Sequence, residues 1–396
     1  MKNINSVLPP EILERIFSLV FPRVLRTVVL VCRRWREVGE AACLWSMTRL
    51  TVMDSNLALM PEVLGTRRLR SMRRLTLKAV SPQLLETVAA HPGLRGLILA
   101  NTSVCRLEPG LLCRLVSRLQ EVVLRGACLT STQANALCCT LTGTSHLKSL
   151  DLSVNNLSLI DPLLLVGALT RLVEVKLVRT NLTKEQATAL CSALPHASRL
   201  RGLDLSHNNL SSVCSTLLVP AILHLEEARL WGCSLTGHQL ESLCRALRQP
   251  GVLRILDMTG NKLSQVEPQL LASAVRRLQE VRLVRTSLTM EQASALCSAK
   301  DEQTCLRSLD LSNNNLSAVL PEVLVKAVAW LEELRLWGAS LTGRQASALC
   351  SSLRHTTTLR SLDLSVNDLS SVEPGLLVAA VTRLVEANLM WTSLTH

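Results

Sequence analysis

The chain has 396 residues, of which 48% are hydrophobic but only 2% aromatic, with six Trp, two Phe and no Tyr. Large aromatic anchors are therefore excluded as the main core, and leucine, valine and alanine must supply it, as in thin layers stacked in one dimension. The formal charge of +12 comes largely from the front of the chain, where Arg67, Arg68, Arg70, Arg73 and Arg74 crowd together. No aromatic side chains interleave with them to stack on bases, so nucleic acid is not an expected partner. Apolar stretches are broken by charge, as Arg171, Glu174 and Lys176 break the run after Leu163. No clean apolar span of about 20 residues results, the start lacks the apolar core of a signal peptide, and a cytoplasmic or nuclear protein without membrane contact is expected.

In chain order, the first predicted elements are three short helices within residues 1–46. Pro9 and Pro10 suit a first helical turn, where a missing N–H costs nothing. Ile12, Leu13, Ile16 and Phe17 then read as one helical stripe. Val24 to Val31 leads into Cys32, Trp35 and Val38, a second helical face, and Leu44 and Trp45 close the segment. So small a unit cannot bury all this apolar surface within itself, and an apolar patch rimmed by charge marks a partner surface.

The run Leu8-Pro9-Pro10-Glu11-Ile12-Leu13-Glu14-Arg15-Ile16-Phe17, with Val31-Cys32-Arg33-Arg34-Trp35 and Leu44-Trp45, resembles an F-box. The resemblance implies docking onto the Skp adaptor, and through it the cullin, of an SCF-type ubiquitin ligase. Leu8, Pro9, Ile12, Leu13, Ile16, Phe17, Val31, Cys32, Trp35, Leu44 and Trp45 would carry the contact. Val24 departs from the family pattern, which opens the second helix with an acidic residue.

Residues 47–396 carry an internal period. Asp151, Asp204, Asp257, Asp310 and Asp363 recur every 53 residues, as do Leu177, Leu230, Leu283, Leu336 and Leu389. Each period holds two units, of 25 and 28 residues, and counting back to Met72 and Met47 gives fourteen unit starts. A unit reads LxxLxLxxNxL, as in Leu147, Leu150, Leu152, Asn155 and Leu157. Period-two leucines point inward from a short strand, and Asn155, Asn208, Asn261, Asn314 and Asn367 can bridge backbone groups of adjacent turns. Thr180, Cys233, Thr286 and Ala339 stand at that place in alternate units.

Helices follow the strands. Thr183-Gln186, Thr289-Gln292 and Thr342-Gln345 have capping-box spacing, and Pro109, Pro162, Pro268, Pro321 and Pro374 open the helices of the shorter units. Cys138, Cys191, Cys244, Cys297 and Cys350 also recur every 53 residues, at helical core positions. No CxxC pair stands ready for zinc, so the cysteines read as reduced core residues and no cofactor is expected. The array resembles leucine-rich repeats of the ribonuclease-inhibitor-like class. The implied fold is an α/β right-handed solenoid, parallel sheet inside and helices outside, preceded by the small three-helix F-box.

On the open face of the sheet Asp151, Lys176, Asp204, Arg229, Asp257, Arg282, Asp310, Arg335 and Asp363 alternate in sign. Strands about 4.8 Å apart make this an expected ladder of opposite charges. Alternate strands add Glu174, Glu227, Glu280, Glu333 and Glu386 two residues earlier, and Val178, Trp231, Val284, Trp337 and Met390 two residues later. Trp and Arg are enriched among binding hot spots, so Glu227, Arg229, Trp231, Glu333, Arg335 and Trp337 form the expected surface for a protein substrate of unknown identity. The competing expectation is that each indole lies flat on small neighbours such as Ser206 and Thr259.

P-loop, HExxH and nucleophile-elbow patterns are absent from the sequence, so catalysis is expected of partners and not of this chain. Two functions compete: a substrate receptor of an SCF-type ligase, and a leucine-rich binding scaffold of the innate-immune or ribonuclease-inhibitor kind. The second is disfavoured for ribonuclease, a basic partner class, because this chain is basic too. At the end of the chain Leu384, Leu389 and Leu394 outline a strand and its turn and Thr395 takes an N-cap place. The helix that follows in earlier units is missing, so either a truncated gene model or a C-terminal unit that frays and self-associates is expected.

Overall fold

The computed structural model describes residues 12–13, 31–32, 35, 38, 49–52, 72–143 and 146–393. The chain divides into two compact units, Met1–Val175 and Lys176–His396.

In the first unit, β1 (Arg49–Val52), β2 (Arg74–Leu77), β3 (Gly96–Ile98), β4 (Glu121–Val123) and β5 (Ser149–Asp151) pair in chain order, all parallel. Helices Pro82–Ala90, Pro109–Arg118, Ser131–Gly143 and Pro162–Leu169 follow β2 to β5 in turn. The boundary between the units falls within β6 (Glu174–Lys176).

In the second unit, β7 (Gly202–Asp204), β8 (Glu227–Arg229), β9 (Ile255–Asp257), β10 (Glu280–Arg282), β11 (Ser308–Asp310), β12 (Glu333–Arg335), β13 (Ser361–Asp363) and β14 (Glu386–Asn388) again pair in chain order and parallel. A helix lies between each strand and the next, from Lys184–Ala193 before β7 to Pro374–Val381 before β14. This alternation of parallel strand and helix is the leucine-rich-repeat solenoid, and every strand begins two residues after a unit start read from the sequence.

The strands are only three residues long over most of the array because the period-two pattern lasts no longer than that. From β3 to β13 the middle residue, such as Leu150, Leu203 or Leu309, is buried against the helices while its two neighbours face the open side. After the strand the chain turns through the left-handed region, at His207 (φ 59°) and Asn313 (φ 53°) for example. Left-handed backbone ends the strand and swings the next leucine, Leu210 or Leu316, into the core at 0% exposure. Burying a leucine contributes about 1.5–3 kcal/mol, which is why the leucines recur at each step.

The asparagines close the turns as expected. Asn261 donates from Nδ2 to the carbonyls of Leu230 (2.7 Å) and Met258 (3.0 Å), and its Oδ1 accepts from the N–H of Leu235 (3.0 Å). Asn155, Asn208, Asn314 and Asn367 repeat this pattern. Thr180 and Thr286, at the alternate place, bond the carbonyls of Leu177 (2.9 Å) and Leu283 (2.7 Å) with their hydroxyls.

The capping boxes at Thr183, Thr289 and Thr342 form, and two more stand at Thr236 with Gln239 and at Thr130 with Gln133. Their glutamines do more than cap. Gln239 Nε2 reaches the preceding repeat and donates to the carbonyls of Leu210 (2.9 Å) and Val213 (2.6 Å); Gln292 and Gln345 do the same one and two periods on. The expected prolines occupy the first turns of their helices, whereas Ser215 opens the helix Ser215–Leu223 and Pro220 sits inside it.

Cys138, Cys191, Cys244, Cys297 and Cys350 are all buried. Burial pushes the thiols of Cys138, Cys191, Cys244 and Cys297 up to about 12 and that of Cys350 to about 11, so they pack as small apolar groups. At β14 the flanking residues are open, with Val385 at 85% and Trp391 at 83% exposure. Leu394 and Thr395 lie outside the described residues.

Candidate protein-binding site

Of the residues expected to dock an adaptor, Leu8, Pro9, Ile16, Phe17, Leu44 and Trp45 lie outside the described residues, as do Arg67, Arg68 and Arg70 of the basic cluster. Ile12 and Leu13 are helical, but Ile12 is 44% exposed and Leu13 only 1%. Adjacent residues on a helix point about 100° apart, which fits within one apolar stripe, and Ile16 and Phe17 of the expected stripe lie outside the described residues. Val31 is exposed at 53%, Cys32 and Trp35 are half-buried, and Val38 is buried. The backbone N–H of Trp35 points at Cys32 Sγ (3.5 Å). Ile12 and Val31 are thus the open apolar positions among the described ones.

On the strands, Glu227, Arg229 and Trp231 stand at alternate positions along β8 and just beyond it, and Glu333, Arg335 and Trp337 repeat the arrangement at β12. Side chains two apart in a strand share a face. The register of the expected charge ladder is present: Arg335 pairs with Asp310 on one side and Asp363 on the other. The close ion pairs, however, run within the strands. Arg335 meets Glu333 at 2.5 Å, Arg282 meets Glu280 at 2.6 Å, and Arg229 meets Glu227. A long guanidinium stem folds back along its own face more readily than a short aspartate reaches across to it.

The aspartates bond the backbone instead. Asp204, Asp257, Asp310 and Asp363 each accept the N–H two residues on, at 2.9–3.0 Å. Burial pushes the Asp310 carboxyl above its ordinary range even though Ser312 bonds it and Arg335 and Arg282 flank it. Each Arg–Glu pair is about one-third exposed and contributes about 0.2–1 kcal/mol, so its role is to hold the surface in one shape.

Trp231 is 46% and Trp337 43% exposed. Ser206 and Ser312 accept the backbone N–H of Trp231 (3.3 Å) and Trp337 (3.1 Å). The ring that covers Trp231 is His207, edge to face at a centroid distance of 4.2 Å and an angle of 61°. Burial, and then Arg179, lower the His207 pKa, while Asp204 opposes them, so the imidazole is neutral against the indole near pH 7. On the other side the backbone of Gly260 lies close enough that an added Cβ would stand 3.3 Å from Trp231 Cδ1. The indole is therefore held between two turns with part of its surface left open.

Sequence reasoning missed His207 and the turn positions aligned with it. Those positions, 154, 207, 260, 313 and 366, carry Val, His, Gly, Asn and Val at the 53-residue period, all with positive φ. Val366 in this left-handed conformation (φ 57°) is costly for a β-branched side chain, and it is 47% exposed. Its N–H bonds the carbonyl of Met390 (3.0 Å), itself 61% exposed. The open apolar surface of the second unit thus extends from Trp337 through Val366 to Met390 and Trp391.

Comparison with known proteins agrees with this architecture. A family model described as F-box-like matches residues 6–50, and one described as Leucine Rich Repeat matches 199–222 and 305–326. The ribonuclease inhibitor of Sus scrofa is 28% identical over 211 residues, 50% of this chain and 46% of that protein. The ribonuclease inhibitor of Mus musculus is 28% identical over 277 residues, 66% of this chain and 60% of that one. The chain therefore spans about half the length of these curated relatives. Among solved structures, a chain of the yeast Rad7 and Elc1 complex superposes with a TM-score of 0.55 at 17% identity, covering 95% of this chain and 97% of that chain, a likeness of fold. The protein combines an F-box-like segment with ribonuclease-inhibitor-like leucine-rich repeats.

Proposed function

We propose that the protein is the substrate-recognition subunit of an SCF-type cullin-RING ubiquitin ligase. The observation that carries the reading is the F-box-like match over residues 6–50 immediately ahead of a leucine-rich-repeat array. The first segment docks the Skp adaptor, with Ile12 and Val31 among its open apolar contacts and Leu13 packed behind them. The repeats bind the protein to be ubiquitinated, through Trp231 and Trp337 framed by Arg229, Glu227, Arg335 and Glu333. The chain contributes recognition, and the chemistry belongs to the ligase it recruits.

Co-purification of the tagged chain from cells with the proteasome inhibited tests this. Wild type is expected to recover the Skp adaptor and a cullin, and Leu8→Ala/Pro9→Ala to lose both while keeping the substrate. Equal adaptor recovery by both forms, or none by either, refutes the reading. A second reading, a leucine-rich binding scaffold without a ligase role, is favoured by the curated relatives being ribonuclease inhibitors. It expects a stable protein partner and no adaptor in the same experiment.

A further inference from the structure

The helical side of the second unit holds a group of arginines that the strand surface does not use. Arg248 caps the C-terminal end of the helix Gly237–Leu247, and Arg276 the end of Pro268–Val275, with Arg277 next in the chain. Together with Ser273, Asp301 and Gln303 they line a cavity of about 150 Å³. That is about five water volumes, room enough for a tetrahedral anion.

The charges around the cavity do not balance. Asp301 is the one carboxylate in its lining, and both its oxygens are taken: Oδ2 by the Arg276 guanidinium, Oδ1 by the Thr304 hydroxyl (2.9 Å) and the Gln303 N–H (2.9 Å). Arg277 donates to the neutral amide oxygen of Gln303 (3.1 Å). Arg248 makes no side-chain hydrogen bond or ion pair among the described residues. Beyond the lining, Glu302 follows Asp301 in the chain, Glu241 pairs with Arg245 (2.6 Å), and Glu267 accepts the N–H groups of Gln269 (2.9 Å) and Leu270 (2.5 Å). Helix C-termini attract cations, and the exposed Arg248 has water, not a protein acceptor among the described residues, on its N–H donors. The lining itself thus sets three arginines against one aspartate.

We propose that this cavity binds a phosphate-class dianion, held by Arg248 and Arg277 with Arg276 and Ser273 beside them. A guanidinium offers paired donors that match two oxygens of a phosphoryl group, and two of them neutralise a dianion. The site stands apart from Trp231 and Trp337 on the strands, and does not rest on the ligase reading.

Calorimetric titration of the full chain with inorganic phosphate, against sodium chloride of equal ionic strength, tests it. Saturable one-site binding is expected, weakened at least tenfold in Arg248→Gln/Arg277→Gln with the melting temperature in chloride unchanged. Ser273→Asp, which brings a carboxylate to the same cavity, is expected to abolish phosphate binding and raise the melting temperature. Absence of saturable binding to wild type, or equal binding by wild type and the variants, overturns the proposal. Free phosphoserine as a second titrant separates the sources: tighter binding than inorganic phosphate assigns the group to a phosphorylated side chain, weaker binding to the free ion.

Discussion

Single residues of the second unit divide into those that shape its open surface and those left free to use it. Trp337 and Trp231 are each held by a backbone bond to a serine of the preceding turn yet remain more than two-fifths exposed. Truncating a hot spot typically costs about 2 kcal/mol or more of binding, so Trp337→Ala is expected to lose the co-purified substrate while retaining the adaptor. Retention of every partner by both Trp337→Ala and Trp231→Ala would assign the indoles to packing alone. Asp310 has a raised pKa chiefly through burial. Between its unfolded and folded values the native state binds the extra proton, so stability falls as pH rises through that window. Asp310→Asn keeps an acceptor for the Ser312 N–H and removes the titration. Urea midpoints from pH 4 to 7 are expected to rise relative to wild type towards pH 7 and to converge with it at the acid end.

Between repeats, two polar side chains hold successive elements together. Asn261 ties the turn after β9 to the carbonyl of Leu230 and the N–H of Leu235, all buried. Removing it leaves those groups unmatched at about 1–3 kcal/mol, so a clear drop in the urea midpoint of Asn261→Ala is expected, and an unchanged midpoint would mean that water replaces the side chain. Gln239 closes a capping box and also bonds the carbonyls of Leu210 and Val213. Loss of an N-cap alone costs about 1 kcal/mol, which is the expected effect of Thr236→Ala. Gln239→Ala is expected to exceed it because two carbonyls of the preceding repeat lose their donor. Equal effects from the two substitutions would reduce the glutamine to a capping residue.

Across the molecule, the repeat frame sorts the cysteines by position. Cys138, Cys191, Cys233, Cys244, Cys297 and Cys350 are buried, while Cys105, Cys128, Cys139, Cys214 and Cys305 are exposed. The thiolate is the reactive form. Burial holds Cys138, Cys191, Cys233, Cys244 and Cys297 at about 12 and Cys350 at about 11, whereas hydrogen bonding to Thr216 lowers the Cys214 pKa. Thiol labelling of the native chain at pH 8, read by peptide mass, is expected to mark Cys214 first and to spare the buried six until denaturant is added. Fast labelling of Cys244 or Cys297 in the native state would show that the repeats open locally.

The strand positions, the asparagine turns, three of the capping boxes and the alternation of helix and strand were all legible in the sequence. Each is a local pattern written again every 53 residues, and a solenoid layer meets only its neighbours, so local pattern and tertiary place coincide. Contacts between layers were not legible in the same way. Arg335 stands in register between two aspartates yet closes on Glu333 of its own strand, and His207 covers Trp231 from a turn that carries Val, Gly or Asn in other periods. Gln239 reaches back 29 residues to a carbonyl of the preceding repeat, and Arg248, Arg276 and Arg277 share one cavity although 28 residues separate the first from the second. Periodicity determines where a side chain starts, and only the packed structure decides which neighbour's atoms it reaches, because that depends on side-chain length, burial and the partners already taken.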